Sequence, residues 1–258
     1  MLAIVAARGR PRRPRRRDRI AMTMRTTTFD GDSNPLELVP LFQGMSPSLL
    51  GELSRRLRVV TFRAGTAVFH ADDAGSMMYI IIQGAVKIFV PATDGREVVL
   101  AVHRTGDLFG EMSLLDDERR SASATTLEDT EMVSLSRQDF LEVMTRHPEA
   151  SRAILDVLVK RLRQTNQSIQ DAYLLDVPGR LARRLLILAR EHGIEADEGV
   201  EIGLRISQQD LASMIGASRV AVNKQLQTWR QKGVVDVRRQ RVTILKPEVL
   251  ERQFSLSP

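Results

Sequence analysis

Between Val59 and Leu135 the apolar residues fall in short runs: VVTF, TAVFH, MMYIII, AVKIFV, EVVLAVH, SASATT and MVSL. Glycines at 65, 75, 84, 95, 106 and 110 punctuate them. Runs this short, rich in β-branched residues and bounded by turn formers, predict roughly seven or eight strands in a β-sandwich or barrel. Asp94-Gly95 sits between two such runs and predicts a hairpin. The flanks have another rhythm. Residues 36–57 read as helical, with Ser46-Pro47 suited to an N-cap and a first-turn proline. From Ser136 a second helix is expected, with Ser136 and Asp139 as its capping pair. His147-Pro148 then makes a break.

From Pro148 to about Asp176 one long helix is expected. Leu155, Leu158, Leu162, Thr165, Ile169, Ala172 and Asp176 recur by alternating steps of three and four. A narrow heptad seam predicts a two-stranded parallel coiled coil, and so a homodimer. The alternative is an amphipathic helix lying on its own sandwich. Thr165, polar within the seam, either sets register or reaches a group held beside the dimer axis.

Val177-Pro178-Gly179 is expected to break that helix. RLARRLLILAREHG then reads as an amphipathic helix closed by Gly193, and VEIGLRI as a short strand. Ser207 suits the cap of a helix carrying Leu211, Met214 and Ile215. Gly216-Ala217-Ser218 suits a tight turn, with Ser218 capping the next helix. Val222, Leu226 and Trp229 give that helix a buried face, and the pair reads as a helix-turn-helix. VVDVRRQRVTIL reads as a hairpin wing with Arg238, Arg239 and Arg241 near its tip. In this arrangement the second helix enters the major groove by its N-terminal residues. Ser218, Arg219, Val220, Asn223 and Lys224 face outward. Arg219 can donate twice to guanine O6 and N7. Gln209, Ser218 and Lys224 suit phosphates or base edges, and Arg239 the same from the wing. The alternative is a helix packing unit with no DNA role.

Charge sharpens this picture. Of the net +6, much lies between Arg8 and Arg19, where eight arginines stand against one aspartate. Residues 20–177 carry 16 basic and 22 acidic side chains, and residues 178–258 carry 14 and 9. An acidic middle and a basic C-terminal part fit a double-stranded DNA partner for the latter. The arginine- and proline-rich stretch is expected to be disordered. It is either a basic arm on DNA phosphates or an over-extended start, with initiation at Met22 or Met24. There is no cysteine, which excludes disulfides, thiolate metal sites and iron–sulfur clusters. No apolar run of membrane-spanning length occurs, so no membrane partner is expected, and the cytoplasm is the expected location. No Gly-rich phosphate loop, metal spacing or nucleophile motif appears, so no catalytic residue and no metal ligand is expected.

The stretch FGEMSLLDDERRSASA, from Phe109 to Ala124, holds Glu111 and Arg120 on either side of three acids. A solvated loop has this composition. So does a pocket for a ligand with a sugar hydroxyl and a phosphate.

The whole order, β-roll, long helix and winged helix, resembles the bacterial CRP/FNR transcription regulators over about residues 36–250. LLDVPGRLARRLL is similar to the hinge and first DNA-domain helix of the cyclic-AMP receptor proteins, GASRVAVNKQL to their recognition helix, and FGEMSLLDDERRSA to their phosphate-binding cassette. The resemblance implies an α+β chain with a cyclic-nucleotide-binding jelly roll, a dimerisation helix and a winged helix-turn-helix. The expected divisions are a basic tail (1–34), the β-roll (35–147), the dimer helix (148–176), the DNA-binding domain (177–250) and a C-terminal tail (251–258). It further implies cyclic AMP as effector and RNA polymerase as partner. Arg120 and Ser121 would hold the phosphate, Glu111 would accept from the ribose 2′-OH, and Gly110 and Met112 belong to the same cassette. Thr165 and Asn166 map onto dimer-helix positions that touch the adenine, one of them across the dimer. Arg161, one turn earlier, either pairs with Glu111 or is solvated.

Relatives of this fold also bind other effectors or none, so a ligand-independent regulator is the rival reading. Haem sensing would need axial ligands, and His70, His103, His147 and His192 read as lone surface or capping groups. The recognition helix departs from the family pattern. Val220 and Ala221 stand where cyclic-AMP receptors usually carry glutamate and threonine. Valine cannot accept from cytosine N4. The expected operator keeps the guanine read by Arg219 and is altered or relaxed beside it.

Overall fold

The protein is described here by a computed structural model covering the backbone of residues 22–25 and residues 45–255. The arginine-rich stretch at 8–19, the 36–44 part of the expected first helix and residues 256–258 lie outside the described residues.

The N-terminal half contains β1 (Met22–Arg25), α1 (Pro47–Arg56), β2 (Arg58–Phe62), β3 (Ala67–Phe69), β4 (Met77–Gln83), β5 (Ala85–Pro91), β6 (Glu97–Arg104), β7 (Leu108–Phe109), α2 (Met112–Leu115), β8 (Ser123–Thr126) and β9 (Thr130–Ser136). Two sheets form a sandwich, one ordered β1-β2-β9-β4-β7 and the other β3-β8-β5-β6. Val60, Phe62, Ile81, Val86, Phe109 and Met132 fill the space between them. The first sheet is buried on its outer face too. There Met78, Ile80, Val133 and Leu135 meet Leu49 and Leu53 of α1 and the two helices that follow. Burial on both faces explains why MMYIII shows no alternation. The β5–β6 hairpin turns at Asp94-Gly95, with Asp94 Oδ1 accepting from the Arg96 N–H at 3.0 Å.

α3 (Arg137–Arg146) starts at Ser136, whose Oγ accepts from the Asp139 N–H at 3.2 Å. α4 (Pro148–Leu174) buries only Ala150 and Ile154 in its first turns. Beyond them Leu155, Leu162 and Ile169 are 59%, 61% and 52% exposed. Leu158 still packs part-buried against the sandwich, but most of the helix does not lie on it, and the seam beyond is left uncovered. The helix ends at Leu174, two residues before the expected Asp176. Asp176 belongs to the next element, α5 (Val177–His192), as its N-cap, with Oδ1 accepting from the Gly179 N–H at 2.8 Å. Val177-Pro178-Gly179 is thus a first helical turn and not the break. An aspartate cap followed by a first-turn proline starts a helix as effectively as it stops one.

β10 (Gly193–Glu195), β11 (Val200–Ile202), α6 (Gln208–Ile215), α7 (Arg219–Gln231), β12 (Val235–Arg238), β13 (Arg241–Ile244) and α8 (Pro247–Ser255) complete the chain. The sheet runs β10-β11-β13-β12. Leu181, Leu185, Leu211, Val222, Leu226 and Trp229 form its core. α8 crosses the boundary after residue 250 where a tail was expected, and its Leu250 is fully buried in that core. Ala85 of β5 joins the same core. Lys87 Nζ reaches Glu97 at 2.7 Å and Asp210 of α6 at 3.1 Å, so the C-terminal unit sits against the β5–β6 hairpin.

Candidate functional site

The cassette is built where β7 meets α2. Glu111 and Arg120, nine residues apart, are both buried, at 1% and 5% exposure. Arg120 Nη1 donates to Gly110 O at 2.6 Å and to Ser113 Oγ at 2.9 Å, and Nη2 donates to Met77 O at 2.5 Å. Its guanidinium lies over the Phe69 ring, 4.1 Å from the centroid. No carboxylate pairs with it within 4 Å among the described residues. Nε, on the other edge, is buried without a hydrogen-bond partner there. Burial pushes its pKa below the usual arginine value, while Tyr79, Glu111 and Asp73 oppose the shift. A buried cation of this kind is costly unless an anion meets it.

Gly110 has a φ of 82°, and a Cβ there would lie 2.7 Å from Arg120 Nη1. The glycine thus admits the guanidinium itself. Sequence reasoning missed Ser113 and Gly75. A Cβ on Gly75 would lie 2.0 Å from Ser113 Oγ, so the two are packed as one wall behind Arg120. Ser121, at the rim, is exposed, and its Oγ donates to Met112 Sδ at 3.6 Å.

Glu111 is shared with α4. Arg161 Nη1 donates to Glu111 Oε1 at 2.6 Å, and Arg161 Nη2 donates to Leu108 O. The open choice for Arg161 is thereby closed in favour of the ion pair. Glu111 Oε2 is buried with no partner among the described residues. Thr165 and Asn166 are exposed one turn beyond Arg161, and among the described residues no hydrogen bond or ion pair joins either to the cassette. The same polar chain continues toward the C-terminal unit. Burial would raise the Asp107 carboxyl, but His103, the Arg104 N–H and Arg161 outweigh it and hold its pKa low. Facing that loop is His192 at the end of α5, 6% exposed, with neither ring nitrogen hydrogen-bonded among the described residues. Burial and then Arg104 push its pKa down to about 4. Nothing local in the sequence marked His192 as more than a capping histidine.

The second site is α6, α7 and the β12–β13 wing. Ser207 and Ser218 cap the two helices, accepting from the Asp210 and Ala221 N–H groups at 3.0 and 3.1 Å. Gly216 turns the chain between them with a φ of 62°. Gln209, Ser218, Arg219, Val220, Asn223 and Lys224 are all exposed. Asn223 Oδ1 accepts from Gln208 Nε2 at 3.2 Å, which ties the two helices together at this face. Arg219 and Gln209 line a cleft of about 350 Å³ between the helix pair and the wing. The wing's arginines are not equivalent. Arg238 pairs with Asp236 at 2.6 Å and Arg241 with Glu201 at 2.5 Å. Arg239, in the two-residue tip with a φ of 49°, is exposed and makes no ion pair among the described residues.

Among the described residues no cluster of histidine, aspartate and glutamate could hold a metal ion, and no helix is long and apolar enough to cross a membrane.

Residues 59–147 match the cyclic nucleotide-binding domain family, and residues 179–253 the Crp-like helix-turn-helix domain family. The chain is 38% identical over 213 residues to the CRP-like cAMP-activated global transcriptional regulator of Mycobacterium tuberculosis, covering 83% of this chain and 95% of that protein. It is 30% identical over 208 residues to the global nitrogen regulator of Synechococcus elongatus, covering 80% and 94%. Among solved structures it is similar to the c-di-GMP responsive global regulator CLP of Xanthomonas campestris, with a TM-score of 0.68 and 27% identity over 77% of this chain and 99% of that one.

Proposed function

The chain belongs to the CRP/FNR family of transcription regulators, and from that premise we propose that it is a homodimer, responsive to cyclic AMP, that binds a palindromic operator through α7. Its two family matches and its relatives support a cyclic-nucleotide-responsive, DNA-binding regulator. RNA polymerase is the proposed further partner, and the cytoplasm the proposed location.

The observation that carries the effector reading is a pair of buried polar atoms with no partner among the described residues, Glu111 Oε2 and Arg120 Nε, in one cassette. A cyclic nucleotide supplies a hydroxyl donor for the first and an anionic oxygen for the second. Ser121 and the rim at Met112 would border the phosphate, and Gly110 holds the guanidinium close. Glu111 gives its other oxygen to Arg161 of α4. One carboxylate would therefore serve both the ligand and the dimer helix. Thr165 and Asn166 lie on that helix and would meet the base once a second copy covers the seam. A ligand preferring one packing of the paired helices would shift the population and reorient the recognition helices through the joint at Leu175–Asp176.

One observation favours the rival regulator that needs no cyclic nucleotide. Three protein oxygens, Gly110 O, Ser113 Oγ and Met77 O, already accept from the Arg120 guanidinium. Fluorescence anisotropy on a palindromic operator, with and without cyclic AMP, decides between them. The expected result is about 5- to 150-fold tighter binding with the nucleotide, lost in Arg120→Ala. Tight binding indifferent to the nucleotide would establish the rival.

A further inference from the structure

Val220 is the one large apolar side chain exposed on the helix pair, at 77%. It stands two positions before the fully buried Val222, which at 3.6 residues per turn is the far side of the helix. It lies in the first turn of α7, directly after the exposed Arg219, among Ser218, Asn223 and Lys224. Nothing in the fold gains from it. A β-branched residue at an open helical position lowers helix propensity and buries little surface. The N-terminal residues of a recognition helix meet base edges. The apolar group that the major groove presents there is the thymine C5-methyl.

We propose that Val220 is a specificity-determining residue, packing its isopropyl group on the methyl of a thymine one or two base pairs from the guanine read by Arg219. The spacing follows from neighbouring Cα atoms 3.8 Å apart set against base pairs stacked at about 3.4 Å. This inference rests on the DNA-binding reading above.

The test selects operators from a random duplex pool with the full chain and cyclic AMP. It then replaces each thymine near the selected guanine by deoxyuridine, which removes only the methyl. The expected result is a thymine in register and about fourfold weaker binding with uracil at that one position. That factor corresponds to about 0.8 kcal/mol for one methyl-sized burial. Val220→Ala, a surface change that leaves the fold intact, should erase most of the thymine–uracil difference while keeping the preference for guanine. Equal binding of thymine and uracil by the native chain would overturn the proposal, as would a selected half-site with guanine and no nearby thymine. A pool yielding no common sequence would instead sink the DNA-binding reading, and this inference with it.

Discussion

The cassette and α7 carry their candidate site residues at opposite degrees of exposure. Glu111 and Arg120 are almost wholly buried, whereas Arg219, Val220, Asn223 and Lys224 stand in solvent. A buried charge must be held by the fold, so each cassette group has a structural partner as well as a proposed ligand. An exposed one needs only a helix and its cap. Function and stability should therefore be coupled in the first region and separable in the second.

The largest effect should come from Arg120→Ala. It leaves Gly110 O, Met77 O and Ser113 Oγ without their donor, costing about 1–3 kcal/mol of stability, and it should abolish the proposed response to cyclic AMP. Thermal melting and anisotropy measured together check this. An unchanged melting temperature with a lost response would break the comparison, because Arg120 would then be no more structural than Arg219.

A second test extends the buried logic to the junction. His192 is held neutral at about 4, below the ordinary 6.5, so its contribution is intact above pH 6.5 and is lost as pH falls through 4. The groups facing it are Arg104, Asp107, His103 and Glu191. At pH 4 the cost of protonating the ring is about 3 kcal/mol. His192→Phe should flatten the fall in melting temperature between pH 6.5 and 4 relative to the native chain. Parallel curves for the two would show that the other groups carry the acid sensitivity.

Smaller effects belong to the exposed region. Arg219→Ala should cost about 1–3 kcal/mol of discrimination at its guanine with no change in melting temperature, as competition binding against a substituted operator would show. A destabilised Arg219→Ala chain would contradict the separation. Smallest is Lys224→Ala. It should weaken binding evenly across sequences and reduce the slope of log affinity against log salt by about 1. A sequence-dependent loss would move Lys224 from phosphate to base contact.

Much of this molecule was legible before any coordinates. The run lengths between glycines announced the strands, Ser46, Ser136, Ser207 and Ser218 announced their helices, and the 109–124 string held both charged members of the cassette. These features are local, since turn chemistry, capping and hydrophobic period act over a few residues. The burial of a charge is not local. Arg161 reaches Glu111 across fifty positions, and Asp236 and Glu201 neutralise two of the three wing arginines. Asp176 fits the last step of a heptad, but it serves as the cap of the next helix. His192 is a lone histidine in the sequence and a buried ring in a domain junction in the fold. The sequence by itself determined which elements form and which charged residues are available. Only the tertiary structure decided which charges are spent on each other and which stay free, because desolvation and ion pairing depend on neighbours that chain folding alone brings together.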